Sequence, residues 1–254
     1  GMLRDGLWDP GFDVHMGTFA EKCNAEVGIT REEQDAFAVR SYRRAVAAQK
    51  SGASAREIAA VEVPPARKGG EIVMVERDEE PGNLREDKVP TLRAAFDKGG
   101  SVTAANASKL SDGAAALVLV SEEYAAANGV RPIAVIRGCA DAEQAPDKFT
   151  TAPALAIPRA LARAGVKMED VDLFEVNEAF ACVAIANARR LGIDEEKLNV
   201  LGGAVAMGHP LGCSGARIVV TLLNALKETG GRIGVAAICN GGGGASAIVV
   251  ELVE

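Results

Sequence analysis

Val171-Asp172-Leu173-Phe174-Glu175-Val176-Asn177-Glu178-Ala179-Phe180 is a short apolar run that turns polar at Asn177-Glu178 and continues into a helical pattern over 178–191. It reads as a strand, 171–176, feeding a helix. The same alternation extends to both sides. Strands are expected at 114–120, 133–137, 234–239 and 245–252, and helices at 121–128, 153–164 and 214–228. Strands alternating with helices imply a layered α/β domain. Asn177 then falls at the edge of an open sheet, where ligands of such folds bind.

Upstream the pattern is different. Thr18 with Glu21 and Thr30 with Glu33 have the spacing of two capping boxes, each threonine oxygen able to accept a first-turn N–H. A long helix is expected after Thr30, with Phe37, Tyr42, Ala45 and Val46 on its apolar face and Gly52 as its stop. From Arg56 to Gly100 the chain is rich in Pro, Gly and charge around two short apolar runs, 60–63 and 72–75, which suggests a loop-rich, partly stranded excursion. One internal echo stands out. Ser111-Asp112-Gly113-Ala114-Ala115-Ala116-Leu117-Val118-Leu119-Val120 is similar to Gly242-Gly243-Gly244-Ala245-Ser246-Ala247-Ile248-Val249-Val250, each a small-residue turn running into an apolar strand, 131 residues apart. This suggests two copies of one α/β unit, of which the first is represented only by its end.

Composition narrows the class of protein. With 254 residues, 48% hydrophobic and 25% charged, the chain can bury roughly 70 to 75% of its unfolded surface and needs no disulfide or metal staple. Its five cysteines are odd in number, scattered and free of CxxC pairs, as expected for free thiols in a reducing compartment. No apolar run reaches the about 18 residues of a membrane span. The balance of 28 basic to 35 acidic residues argues against general nucleic-acid binding.

The residues that could carry chemistry are few. There is no P-loop, no CxxC and no HExxH, and the only histidines are His15 and His209, so a metal centre is not expected. His209 lies in a Gly-His-Pro loop, where it can donate a hydrogen bond or move a proton; an idle loop histidine is the competing reading. Cys239 ends a strand and precedes Asn240 and four glycines. Such a thiol is less crowded than a core cysteine and open to activation by backbone N–H groups. An ordinary glycine-rich hairpin is the alternative for that segment. Asn177, His209 and Cys239 nevertheless all fall at loop mouths of one α/β unit.

Six ordered motifs resemble the thiolase family, in its acetoacetyl-CoA branch. They are His15-Met16-Gly17, Thr103 to Ser108, Ser111 to Ala116, Asn177-Glu178-Ala179-Phe180, Gly202 through Gly212, and Cys239-Asn240-Gly241-Gly242-Gly243. The resemblance covers the chain from about Asp5 to its end. It implies a thiolase-like layered αβαβα fold, present here as a complete C-terminal repeat (121–254) preceded by the loop domain and last strand of the N-terminal repeat (1–120). The implied reaction is the Claisen condensation of two acetyl-CoA molecules, or thiolysis of acetoacetyl-CoA by CoA. Histidine-bearing ketoacyl synthases and glutamate-bearing hydroxymethylglutaryl-CoA synthases are disfavoured by Cys239.

The resemblance also implies roles. Cys239 matches the residue that removes or returns the α-proton, and His209 the one that activates the nucleophile and donates to the enolate oxygen. Asn177 matches the residue holding a water in that oxyanion hole, and the Gly241 N–H part of a second hole. His15, Met16, Ala104, Ser108, Leu110, Ala179 and Phe180 match the pantetheine tunnel. Arg67, Lys68, Arg77 and Arg85 are candidates for the CoA 3′-phosphate, against the alternative of a solvated charged loop. The acyl-accepting cysteine of the family lies upstream of the matched stretch, and Cys213-Ser214-Gly215 only superficially mimics its setting. This chain is therefore expected to be incomplete for catalysis, the alternative being a non-catalytic acyl-CoA-binding protein or subunit that needs a partner chain. Potassium-binding relatives place a tyrosine just before His-Met-Gly and bind near Ala104, Ala105, Ala107 and Val205. Residues 9–14 hold no tyrosine, so no cofactor or metal is expected. Partners should be CoA thioesters and further copies of the chain, with no nucleic acid or membrane, and the location cytoplasmic or else mitochondrial.

Overall fold

The computed structural model describes residues 1–65, 67 and 69–253. The chain opens with a short helix α1 (Met2–Gly6) and a two-residue antiparallel pair, β1 (Trp8–Asp9) and β2 (Val14–His15). Two longer helices follow, α2 (Met16–Val27) and α3 (Arg31–Ser51). Thr30 caps α3 with a full capping box: its hydroxyl accepts from the Glu33 N–H, and the Glu33 carboxylate accepts from the Thr30 N–H. Gly52 ends the helix in the left-handed conformation. The second expected box does not form. Helix α2 begins earlier, capped by His15, whose Nδ1 accepts from the Gly17 N–H, so Thr18 is already inside the helix.

Among its described residues the excursion forms an exposed antiparallel pair, β3 (Val61–Val63) with β4 (Val73–Val75). Residues 114–120, expected as a strand, are not one: Val118 is 93% and Leu119 68% exposed. A strand is defined by its hydrogen-bonded neighbour, and among the described residues no segment lies alongside to pair with it. The echo between 111–120 and 242–250 is thus one of sequence; only its second copy is stranded here.

After α4 (Glu122–Asn128), the remaining elements are β5 (Ala134–Glu143), α5 (Pro153–Ala164), β6 (Leu173–Val176), α6 (Ala181–Leu191), α7 (Ala204–Met207), α8 (Leu211–Thr229), β7 (Ile233–Cys239) and β8 (Gly244–Leu252). The sheet has the order β5-β8-β7-β6, with β6 parallel to β7 and the other pairs antiparallel. Strand alternation divides the core into two faces. Val235, Ala237 and Cys239 of β7 join Phe174 and Val176 of β6 in the core under α5, α6 and α2, whereas Ala236 and Ile238 join Leu173 under α8. Strand β5 runs six residues beyond its expected end, bulging between Ile136 and Gly138. Gly138 fits there because a side chain would press on the Ala160 carbonyl and the Ala164 backbone of α5.

Candidate active site

Two parallel neighbours deliver two of the site residues to one edge. The β6–β7 ladder continues to the Asn177 N–H, which donates to the Ala237 carbonyl (2.9 Å), so Asn177 follows β6 and Cys239 ends β7 at the same carboxyl edge. Residues 177–180 stay outside the helix, which starts at Ala181 instead of the expected 178, Phe180 being extended (φ −142°, ψ 154°). The reason is a β-bridge between Ala107 and Phe180, with the Ser108 N–H on the Ala179 carbonyl (3.1 Å) and the Ala181 N–H on the Asn106 carbonyl (2.8 Å).

The same loop seats His209. The His209 N–H donates to the Lys109 carbonyl (2.9 Å), and Gly208, at φ 95°, packs so tightly on Ser111 that a Cβ would overlap its hydroxyl. The imidazole comes to rest with Nε2 3.3 Å from Asn177 Nδ2 and Nδ1 2.6 Å from Ser214 Oγ. Burial first, and the Arg217 charge second, push His209 down to about 4, which keeps it neutral near pH 7. Arg217 Nη2 donates to Asn177 Oδ1 (3.4 Å), and its Nη1 lies 3.8 Å from Glu175 Oε2.

Cys239 does not fit the expectation of an uncrowded thiol. Alternation along β7 turns it to the inner face, where it is buried with Met16, Cys23 and Cys182. Burial pushes its thiol up to about 12, against the lowering effect of its own backbone N–H. Among the described residues it forms no side-chain hydrogen bond with Asn177 or His209. Beyond it, Asn240 to Gly243 form the hairpin between β7 and β8, with Gly242 and Gly243 at φ 85° and 91°. A Cβ at Gly243 would overlap the Gln144 carbonyl oxygen, so this glycine is needed for close backbone approach. The Gly241 N–H has no acceptor among the described residues, and the position faces the Met16 thioether.

The residues expected in the tunnel are gathered in part. His15 stacks on Phe96 (ring centroids 4.6 Å apart), and Phe96 meets Phe180 edge to face (5.9 Å). Gly17 makes room for this stack, since a Cβ there would overlap the Phe96 ring. Met16, Ser108, Ala179 and Phe180 belong to the same region, while Ala104 and Leu110 are exposed on the loop beside it. Arg67, Arg77 and Arg85 are exposed, Arg85 pairing with Asp87, and Lys68 lies outside the described residues. Cys213 packs against Gly113 in the first turn of α8, and burial raises its thiol.

Three further residues were not singled out from the sequence: Phe96, Ser214 and Arg217. For Ser214 and Arg217 the signal is the periodicity of α8. Ser214, Arg217 and Thr221 recur at three- and four-residue spacing on a helix that otherwise buries Ile218 and Leu222, and buried polar residues on an apolar face need partners.

Lys109 occupies a position of its own. Its ammonium donates to the carbonyls of Ala107 (3.0 Å) and Val205 (3.4 Å) and lies 5.4 Å from the Tyr42 ring centre. Two of the four positions associated with potassium in relatives thus already face a cation belonging to the chain. Among the described residues no cluster of His, Cys, Asp or Glu could hold a metal ion, and no helix is long and apolar enough to cross a membrane.

Residues 1–123 match the family model described as thiolase, N-terminal domain, and residues 130–252 the one described as thiolase, C-terminal domain. Acetyl-CoA acetyltransferase 1 of Arabidopsis thaliana is 56% identical over 255 aligned positions, covering all of this chain and 61% of that protein. The crystal structure of the Bacillus anthracis acetyl-CoA acetyltransferase superposes with a TM-score of 0.93 at 42% identity, over 97% of this chain and 62% of the other. A crystal structure of the Acat5 thiolase from Ascaris suum in complex with coenzyme A gives 0.90 at 42% identity, over 99% and 64%. The chain thus spans less than two thirds of the length of each of these relatives.

Proposed function

Because the chain belongs to the thiolase family, by matches to both of its domain models, we propose that it serves acetyl-CoA C-acetyltransfer: condensation of two acetyl-CoA molecules to acetoacetyl-CoA and CoA, or the reverse thiolysis. The single observation that carries this reading is the Asn177–His209 pair, set at the carboxyl edge of the sheet where Cys239 ends the next strand. In thiolysis, His209 takes the proton of the attacking thiol and, once protonated, holds the developing enolate oxygen together with Asn177. A preorganised donor at such an oxygen is worth on the order of 10² to 10³ in rate. Cys239 returns a proton to the α-carbon. A thiol raised to about 12 is protonated at neutral pH, the form that this direction requires. The free Gly241 N–H is assigned to a second oxyanion site for the acyl-enzyme.

The acyl-accepting thiol is assigned to the part of the relatives that this chain does not span, with 1–120 read as the loop-domain portion and 121–254 as the C-terminal repeat. The substrates are CoA thioesters, their pantetheine arm running past His15, Phe96, Ser108 and Phe180. The Lys109 ammonium takes the place of potassium, and no cofactor is required. The exposed apolar residues of 117–120 and of the β3–β4 pair support assembly with further copies, and the free thiols support a cytoplasmic location.

The test is cleavage of acetoacetyl-CoA by CoA, with intact-mass analysis after exposure to acetyl-CoA. Turnover that is lost in His209→Asn supports the reading, and an acetyl group on a cysteine would locate a nucleophile within the chain. CoA binding without turnover assigns this chain the base and oxyanion half alone. Neither binding nor turnover overturns the proposal.

A further inference from the structure

Arg217 reaches the site from α8 with most of its side chain buried, and its hydrogen bonds have only one consistent direction. A guanidinium has five N–H groups and no acceptor, so the Asn177 atom facing it, 3.4 Å away, must be the carbonyl oxygen Oδ1. That fixes the amide, which elsewhere could be turned over without penalty. The Nδ2 amino group is then the part that faces His209 Nε2 at 3.3 Å. An amino donor there requires a lone pair on Nε2, so the single proton of the neutral ring belongs on Nδ1. Nδ1–H in turn donates to Ser214 Oγ (2.6 Å), and the Ser214 proton goes to the Pro210 carbonyl (3.0 Å). Every link has one donor and one acceptor. The opposite tautomer would set two N–H groups against each other between Asn177 and His209.

Three carboxylates surround Arg217. Glu175, 1% exposed on β6, lies on the α8 side of the sheet and faces the guanidinium. Glu57 and Asp78, from the excursion, are buried enough to be raised and both feel the Arg217 charge. Glu178, on the other side of Asn177, has its carboxylate occupied by Ser41 Oγ, Asn199 Nδ2 and the Val205 N–H.

We propose that Arg217 is a positioning residue that selects the Nδ1–H tautomer of His209 by orienting Asn177, so that in the resting state Nε2 carries no proton and its lone pair accepts from the Asn177 amino group. The role rests on the reading of His209 as the base that receives the thiol proton, since only that tautomer has an unprotonated Nε2, at which the incoming proton replaces the hydrogen bond from Asn177. It also assigns Ser214 as the acceptor that completes the relay.

Long-range proton–nitrogen NMR of the ¹⁵N-labelled chain tests this, because the two ring nitrogens report protonation separately and only two histidines are present. His15, whose Nδ1 accepts from the Gly17 N–H, supplies the opposite tautomer as an internal reference. The wild-type chain is expected to show His209 protonated at Nδ1. Arg217→Met combined with Glu175→Gln removes both buried charges together, which avoids leaving one unpaired; it is expected to release the ring into a mixture of tautomers. Asn177→Ala, which leaves the Arg217–Glu175 pair intact, should do the same. A wild-type ring protonated at Nε2, or an Nδ1–H ring that persists in both variants, overturns the proposal. The readout needs no turnover, so absence of acetoacetyl-CoA cleavage would count against the proposed function and leave the tautomer result standing. If turnover is present, kcat in the double variant should fall about tenfold or more with KM for CoA little changed.

Discussion

His209 is neutral because it is buried beside a positive charge, and this has a consequence for stability that can be measured. Its folded value, about 4, lies below the ordinary 6.5, so between these pH values the unfolded chain binds the extra proton. The stabilisation is fully present above about 6.5 and is lost as pH falls toward 4, at most about 3 kcal/mol. Urea midpoints measured across this window should fall more steeply with acidification in the wild type than in His209→Gln. Glu175 and Glu178 are raised by burial and act in the opposite sense, so the difference between the two proteins is the relevant quantity. The thiols differ in a similar way. Cys139 is exposed, while Cys23, Cys182, Cys213 and Cys239 are buried. A thiol reagent at pH 8 is expected to modify Cys139 first in the folded chain and all five in urea, as mapped by peptide mass analysis. Early modification of Cys239 would contradict its placement on the inner face of β7.

At the scale of elements, the site depends on loops fitted against one another without side-chain volume to spare. Gly243 combines a left-handed φ with a missing Cβ that would overlap the Gln144 carbonyl. Gly243→Ala is expected to destabilise the chain by about 2 kcal/mol or more, read from the urea midpoint, by opening the β7–β8 hairpin away from the loop after β5. Lys109 ties the 103–113 loop to α7 through the carbonyls of Ala107 and Val205. Lys109→Met leaves those carbonyls without their partner and should cost about 1–3 kcal/mol. Thermal stability of the wild type should be the same in potassium and sodium chloride. A wild-type chain that potassium specifically stabilises would show that the ammonium does not fill that role.

For the whole molecule, the main feature is the contrast between a dry C-terminal sheet and the uncovered apolar run at 117–120. Leu117, Val118, Leu119 and Val120 are all exposed, in a segment whose composition is that of a strand. Such a run favours association. Sedimentation of the wild type is expected to show oligomers, and Val118→Asp with Leu119→Asp should shift the distribution toward smaller species without changing far-UV circular dichroism. A compact monomer in both cases would count against assembly through this segment.

The sequence by itself determined what depends on local pattern. The alternation of apolar runs and helical periods located β6, β7, β8 and α5 to within about two residues, and the Thr30 box with Gly52 bounded α3, because caps and periodicity act over a few neighbouring positions. The motifs around Asn177, His209 and Cys239 were legible in the same way, as residue types at strand and loop ends. Tertiary structure decided the rest. Whether 114–120 becomes a strand depends on a neighbour to pair with, and whether Cys239 is open or buried depends on which face of the sheet α2 and α6 cover. The start of α2 at His15 instead of Thr18 was set by a ring nitrogen that reaches the Gly17 N–H. His209 meets Ser214 only five residues on, but Asn177, the residue after β6, is 32 residues away and is itself held by Arg217, 40 residues from it, contacts made through space that no local pattern encodes.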